Sequence, residues 1–256
     1  MIAIMTIEPM DSGKYREDQA FFTRLSLWLA VFIVFIFVQW GLRGMVDYLH
    51  TPVWVHLHGL LMVSFLALFV TQNRLAGNGN LALHRKLGWF SAYLVAAIVG
   101  VACFAGIMAI KRHTVPPFFN DAFFLALTQV EAVVFGGLVY AAITRRKQTE
   151  FHRRLMIGAV IIVMEPALGR ILPMPFMHGM GDWAVMVIQL VVVAVIALHD
   201  RRVLGQRFDA AAPIVAAQTA TQTWQLGQAV NFTLAANTFT APQQAAPTST
   251  ATLSNG

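Results

Sequence analysis

Six stretches of the chain are apolar over a run long enough to matter, at 25–43, 53–74, 86–110, 121–144, 154–172 and 182–199. Polar residues are gathered between them. At about 1.5 Å of rise per residue, a helix of some 18 residues or more crosses close to 30 Å of hydrocarbon. A backbone in lipid must satisfy its own hydrogen bonds, so each run predicts a helix. The expected fold is all-α, a six-helix transmembrane bundle over 25–205. Turn chemistry supports the division. Asn78-Gly79-Asn80 breaks the chain after the second span, and Asn80 and Thr149 stand where a side-chain oxygen caps a following helix. Thr114-Val115-Pro116-Pro117 stops the third span. Pro166 predicts a kink inside the fifth, which Pro173 and Pro175 then end.

Composition agrees with the pattern. Of 256 residues, 57% are hydrophobic and 12% charged, too few charges to solvate a globule of this size. The net charge of +6 would suggest nucleic acid only if it formed one basic patch, whereas here it lies between the spans. With six crossings and the amino terminus in the cytoplasm, 14 of the 18 Lys and Arg residues fall on the cytoplasmic side. The other side keeps Arg43, Lys111, Arg112 and Arg170, so both termini are expected to be cytoplasmic. Residues 1–24 form a hydrophilic cytoplasmic segment, and the first apolar run lacks a small-residue cleavage site, which marks a retained helix. The tail, 206–256, carries almost no charge and is rich in Ala, Thr, Gln and Pro, a composition that predicts disorder. The single cysteine, Cys103, excludes an intrachain disulfide or thiolate metal cluster.

Histidines carry the main chemical signal. His50, His56, His58, His113 and His178 fall toward the outer side, and His84, His152 and His199 toward the inner side. A b-type haem in a helical bundle takes two neutral imidazoles at matching depth on facing helices. His84 and His152 occupy equivalent places in a weak internal repeat, Leu83-His84-Arg85-Lys86-Leu87 and Phe151-His152-Arg153-Arg154-Leu155, and form the preferred inner pair. His58 with His178 is the expected outer pair. His56 and His58 lie about 200° apart around a helix, so one of them at most points inward. Gln72 follows His58 by nearly four whole turns and shares its face. A transition metal held by His56, His58, His113 and His178 is the competing use of the same residues. A third reading has the inner histidines and arginines simply anchoring the helix ends at lipid phosphates, with no cofactor bound.

Polar residues inside the spans supply a second signal. Glu131 and Glu165 are costly in hydrocarbon unless neutral, paired or in a wet cavity, and Arg170 is the expected partner of one of them. Gln129 lies two residues from Glu131 and therefore on another face. Used together, Glu131, Glu165 and Arg170 would suit a small transporter or proton-coupled carrier. No Walker loop, dinucleotide-binding glycine pattern, HExxH or nucleophile elbow occurs, so no catalytic motif is assigned.

The combination of His58-Gly59, Gln72 with Leu75, His84-Arg85 with Leu87-Gly88-Trp89, and His152-Arg153-Arg154-Leu155-Met156 resembles an uncharacterised family of bacterial integral membrane proteins over about residues 50–205. That resemblance implies a bacterial inner-membrane location. In layout the chain is more remotely similar to di-haem cytochrome b proteins and to membrane proteins that assist oxidase assembly, although its inner histidines open their helices instead of lying a turn inside. The resulting expectation is a membrane protein binding haem b or a metal for electron transfer or respiratory-complex assembly, with the bilayer and a respiratory membrane protein as partners. The alternatives are the carrier and a structural subunit without ligand.

Overall fold

The computed structural model describes residues 12–203 apart from 118, 178 and 179. Among these residues the chain is helical throughout its regular structure: α1 Ser12–Leu42, α2 Val53–Gly77, α3 Leu81–Lys111, α4 Asp121–Thr144, α5 Thr149–Ile162, α6 Glu165–Ile171 and α7 Gly181–Val203, with one 3₁₀ turn at Met174–Phe176. Five of them, α1, α2, α3, α4 and α7, are long and apolar enough to cross a membrane. The architecture is that of a multi-pass membrane protein. The predicted tail and His178 lie outside the described residues.

Local chemistry sets the helix ends. Asn80 Oδ1 accepts from Leu83 N at 3.3 Å, as expected, and Asn120 Oδ1 accepts from Phe123 N at 2.8 Å. Gly79 supplies the left-handed residue (φ +74°) that the tight α2–α3 turn requires. His113, at φ 53°, takes the left-handed position just past α3, ahead of Pro116 and Pro117. Thr149 is instead the first residue of α5; the cap position is Gln148, which makes no side-chain cap bond.

Two departures from the sequence pattern matter. α1 begins at Ser12 and not near residue 25, because Asp18, Gln19, Phe22, Ser26, Leu29 and Ala30 continue one buried helical face into the polar segment. The fifth apolar run is interrupted: α5 stops at Ile162, and α6 starts afresh at Glu165. Pro166 has no N–H to offer the Ile162 carbonyl, so the expected kink becomes a complete break.

Helices α2, α3, α4 and α5 pack in sequence, while α1 lies against α2, α5, α6 and α7. The interrupted segment therefore lies at the centre. From Arg153 to Ile162 every α5 residue except Met156 is buried, with Gly158 and Ala159 allowing close approach. The surrounding helices turn large apolar side chains such as Trp28, Phe35, Val63, Tyr93 and Val191 outward, as lipid contact requires.

Buried charge pins this centre at the end bearing the α2–α3 and α4–α5 turns, hereafter the basic end. Arg154 bonds both oxygens of Asp200 on α7, with Nε to Oδ2 at 2.7 Å, and reaches Asp18 Oδ1 on α1 at 3.2 Å. Arg153 pairs with Asp18 Oδ2. His199 Nε2 lies 3.2 Å from Asp18 Oδ1, and its ring stacks on Phe21 at 3.8 Å. Both guanidiniums also lie over Phe22. Two cations face two carboxylates, so the buried charge is balanced. Removing one member leaves an uncompensated charge, at a cost of about 3–5 kcal/mol. Arg154→Met is thus expected to lower the unfolding temperature in detergent sharply, and Arg154→Met/Asp200→Leu to recover much of the loss, because Arg153 and Asp18 remain paired. Additive losses in a double-mutant cycle would show that the pair is not coupled.

Candidate functional site

At the basic end, the first turns of α3 and α5 bring His84 and His152 together. Their ring centroids lie 6.4 Å apart, with the planes 89° from parallel. Both rings are half-buried. The two histidines are held alike: His84 Nδ1 lies 3.3 Å from the Gln72 carbonyl at the end of α2, and His152 Nδ1 lies 2.8 Å from the Ala142 carbonyl at the end of α4. A carbonyl only accepts, so each Nδ1 carries a proton, and in the neutral imidazole each Nε2 then keeps its lone pair. This is how a metal-binding imidazole is usually oriented, with its second nitrogen tied to a carbonyl. It also gives the internal repeat a structural meaning, since each histidine, one turn into its own helix, bonds a carbonyl within the last two turns of the helix before it.

Gln72 completes this corner. Its Nε2 donates to the His84 carbonyl at 3.1 Å, and its side chain runs close over Gly88. Its Oε1 is buried with no hydrogen-bond partner, leaving an acceptor open beside the histidines. Gln72, read from the sequence as sharing the face of His58, meets His84 on α3, a contact that spacing along α2 alone does not reveal.

The outer histidines behave differently. His56 is exposed, and its Nε2 donates to the Tyr48 carbonyl at 3.2 Å. His113 is exposed past the end of α3. His58 points inward, as the helical geometry predicted, and its Nδ1 is enclosed without a partner. Among the described residues, His56, His58 and His113 are not gathered within ligand distance of a common ion. His50 bonds Asp47 Oδ2 at 2.6 Å, the loop contact its position suggests, and that bond holds the Asp47 carboxyl below its usual range.

Polar groups inside the bundle are arranged otherwise than the sequence suggested. Glu131 on α4 stands beside Glu165 at the start of α6, not Arg170. Arg170 turns back to the Pro166 carbonyl at 2.6 Å and lies over the Phe37 ring at 4.3 Å. The reason lies within α6: five residues of a regular helix put Glu165 and Arg170 about 140° apart around its axis, so the two side chains leave it in different directions. Gln129 donates to the Cys103 carbonyl at 3.2 Å and ties α4 to α3 where Gly106 lets them close.

Sequence reasoning missed Asp18 and Asp200 and treated Arg153 and Arg154 as lipid anchors. The available signal was the period of Tyr15, Asp18, Gln19, Phe22 and Ser26, which aligns Asp18 with aromatic residues on one face. Asp18, His199 and Asp200 bring ligand atoms within 4.8 Å of one another. Their carboxylates are nevertheless committed to Arg153 and Arg154, and a cation there would have to displace both guanidiniums. The cluster is a structural clamp.

Comparison of the chain with family models, with curated proteins and with solved structures gave no match. The geometry alone therefore carries the functional argument. Nitrogen-15 NMR of histidine-labelled protein in detergent checks its first step. His84 and His152 are expected as Nδ1–H tautomers with unprotonated Nε2, while an Nε2–H tautomer at either would remove the lone pair on which the site depends.

Proposed function

We propose that this chain is an integral membrane protein of the bacterial inner membrane that holds a haem iron or a single transition-metal ion between His84 and His152, for electron transfer or for assembly of a respiratory complex. The observation that carries the proposal is the facing imidazole pair with both Nδ1 atoms tied to carbonyls. With metal–nitrogen bonds of about 2.0–2.1 Å, two imidazoles on opposite sides of one metal have ring centres roughly 6 Å apart. The observed 6.4 Å suits that spacing. Haem would need the two rings on opposite faces of its macrocycle, whereas a bare ion would accept them at a bent angle with further ligands. For a bare ion, Gln72 Oε1 offers an acceptor to a metal-bound water.

In this reading the interrupted α5–α6 segment completes a sixth crossing, and the distribution of Lys and Arg puts both termini, and with them the site, on the cytoplasmic side. The resemblance to bacterial membrane proteins supports the inner membrane. His58, with its enclosed and unpartnered Nδ1, is kept for a second, outer site with His178 as the proposed partner.

The test uses full-length protein purified in detergent, as isolated and after incubation with haemin or with iron or zinc salts. A Soret band indicates haem, and about one bound metal per chain without that band indicates a bare ion. Either is expected to weaken by about tenfold or more in His84→Ala and in His152→Ala, and to survive in His50→Ala. Absence of both chromophore and metal from protein that is folded by circular dichroism would overturn the proposal.

A further inference from the structure

Midway through the bundle, away from the histidines, Glu131 and Glu165 meet across the break between α5 and α6. Glu131 lies ten residues into α4, roughly 15 Å from that helix's start. Its carboxyl stands beside that of Glu165 and interacts with it. Two carboxylates can only accept, so a bond between them requires a proton on one. The low dielectric makes this the stable arrangement, because two ionised carboxylates in contact inside a membrane protein would repel each other unscreened. A separate observation shows that the pair is more than a closed clasp: the other oxygen of Glu131, Oε1, is completely enclosed and has no hydrogen-bond partner. An acceptor in that position has hydrogen-bonding capacity left for a proton or a proton-bearing water.

The surroundings give the pair a side. Glu131 has two acidic groups near it, Glu165 at the start of α6 and Asp182 in the first turn of α7. Asp182 is half-buried and lies at the end of the bundle opposite Arg153 and Arg154. Arg170, the nearest cation in sequence, is engaged by the Pro166 carbonyl and by Phe37 on α1. On the remaining flank Gln189 of α7 donates to the Ile161 carbonyl at 2.9 Å and supports the last turn of α5 just before the break. Carboxyls thus lead from the Asp182 end to mid-membrane. Beyond them α5 is apolar, from Ile157 to Ile162, as far as the arginine clamp.

We propose that Glu131 and Glu165 form a proton-binding site at the α5–α6 break, loaded from and released to the Asp182 side of the membrane. The step is simple proton exchange: a hydronium or water-borne proton is taken up by the carboxyl pair and returned by the same route, with no change of redox state. This inference does not depend on any metal at His84 and His152.

Dicyclohexylcarbodiimide, which reacts with protonated carboxyls in apolar surroundings, tests it on the full-length protein in sealed vesicles, read by peptide mass spectrometry. Labelling at Glu131 or Glu165 is expected. It should fall as the pH is raised on the Asp182 side and stay unchanged when pH is raised only on the opposite side. Asp182→Asn is expected to slow the response to a pH jump by about tenfold or more while leaving the labelling itself. Infrared carbonyl-stretch spectra of the wild-type protein give a reading that needs no variant, a protonated carboxyl band that fades with the same sidedness. Absence of both labelling and the band, or a response equal from the two sides, would overturn the proposal.

Discussion

The buried exchange of charge between Arg153, Arg154, Asp18 and Asp200 is the constraint on which the rest of the structure depends. It joins the first turns of α5 to α1 and to the end of α7, across 135 residues of sequence in one direction and 46 in the other. A short apolar helix buried on nearly every side has no rotational preference from hydrophobicity alone, because any face would serve. Fixed charges supply that preference. With Arg153 and Arg154 turned toward α1 and α7, His152, one residue earlier, is turned to the Ala142 carbonyl and toward His84. The same rotation carries down α5 to the break that Pro166 imposes, beyond which Glu165 emerges.

The interruption of that central segment is the second organising feature. Non-helical backbone at membrane depth is tolerated where protein surrounds it, and here α1, α4 and α7 do so. Gln189 compensates by donating to the Ile161 carbonyl. One interrupted segment thus presents a histidine at the basic end and a carboxyl at mid-depth. Their surroundings differ as their chemistry requires: a carbonyl acceptor orients the imidazole, while the Glu131 carboxyl has the acidic Glu165 beside it.

Much of the fold was legible because lipid imposes a strong rule on hydropathy. α4 falls at 121–144 as the pattern predicts, and Asn80 caps α3 as its residue type suggests. The convergence of His84 and His152 was legible too, since both open a helix at the same end of the bundle and repeat one local motif. What could not be read locally was pairing over long distances. Asp18 lies in a segment that looks like a solvated leader, and nothing near it in sequence names Arg153 as its partner. The break at Val163 and Met164 was visible only as Pro166, which marks an irregularity without revealing that the helix starting there carries Glu165 to Glu131.

The account's central claim is that the two imidazoles at the basic end offer their Nε2 atoms to one metal. X-ray absorption fine structure on the metal-loaded full-length protein tests it most directly. It predicts two imidazole nitrogens at about 2.0–2.1 Å from the bound metal, falling to one when either His84 or His152 is replaced. A nitrogen shell with no imidazole signature, or one left unchanged in the His84→Ala/His152→Ala double variant, would contradict it.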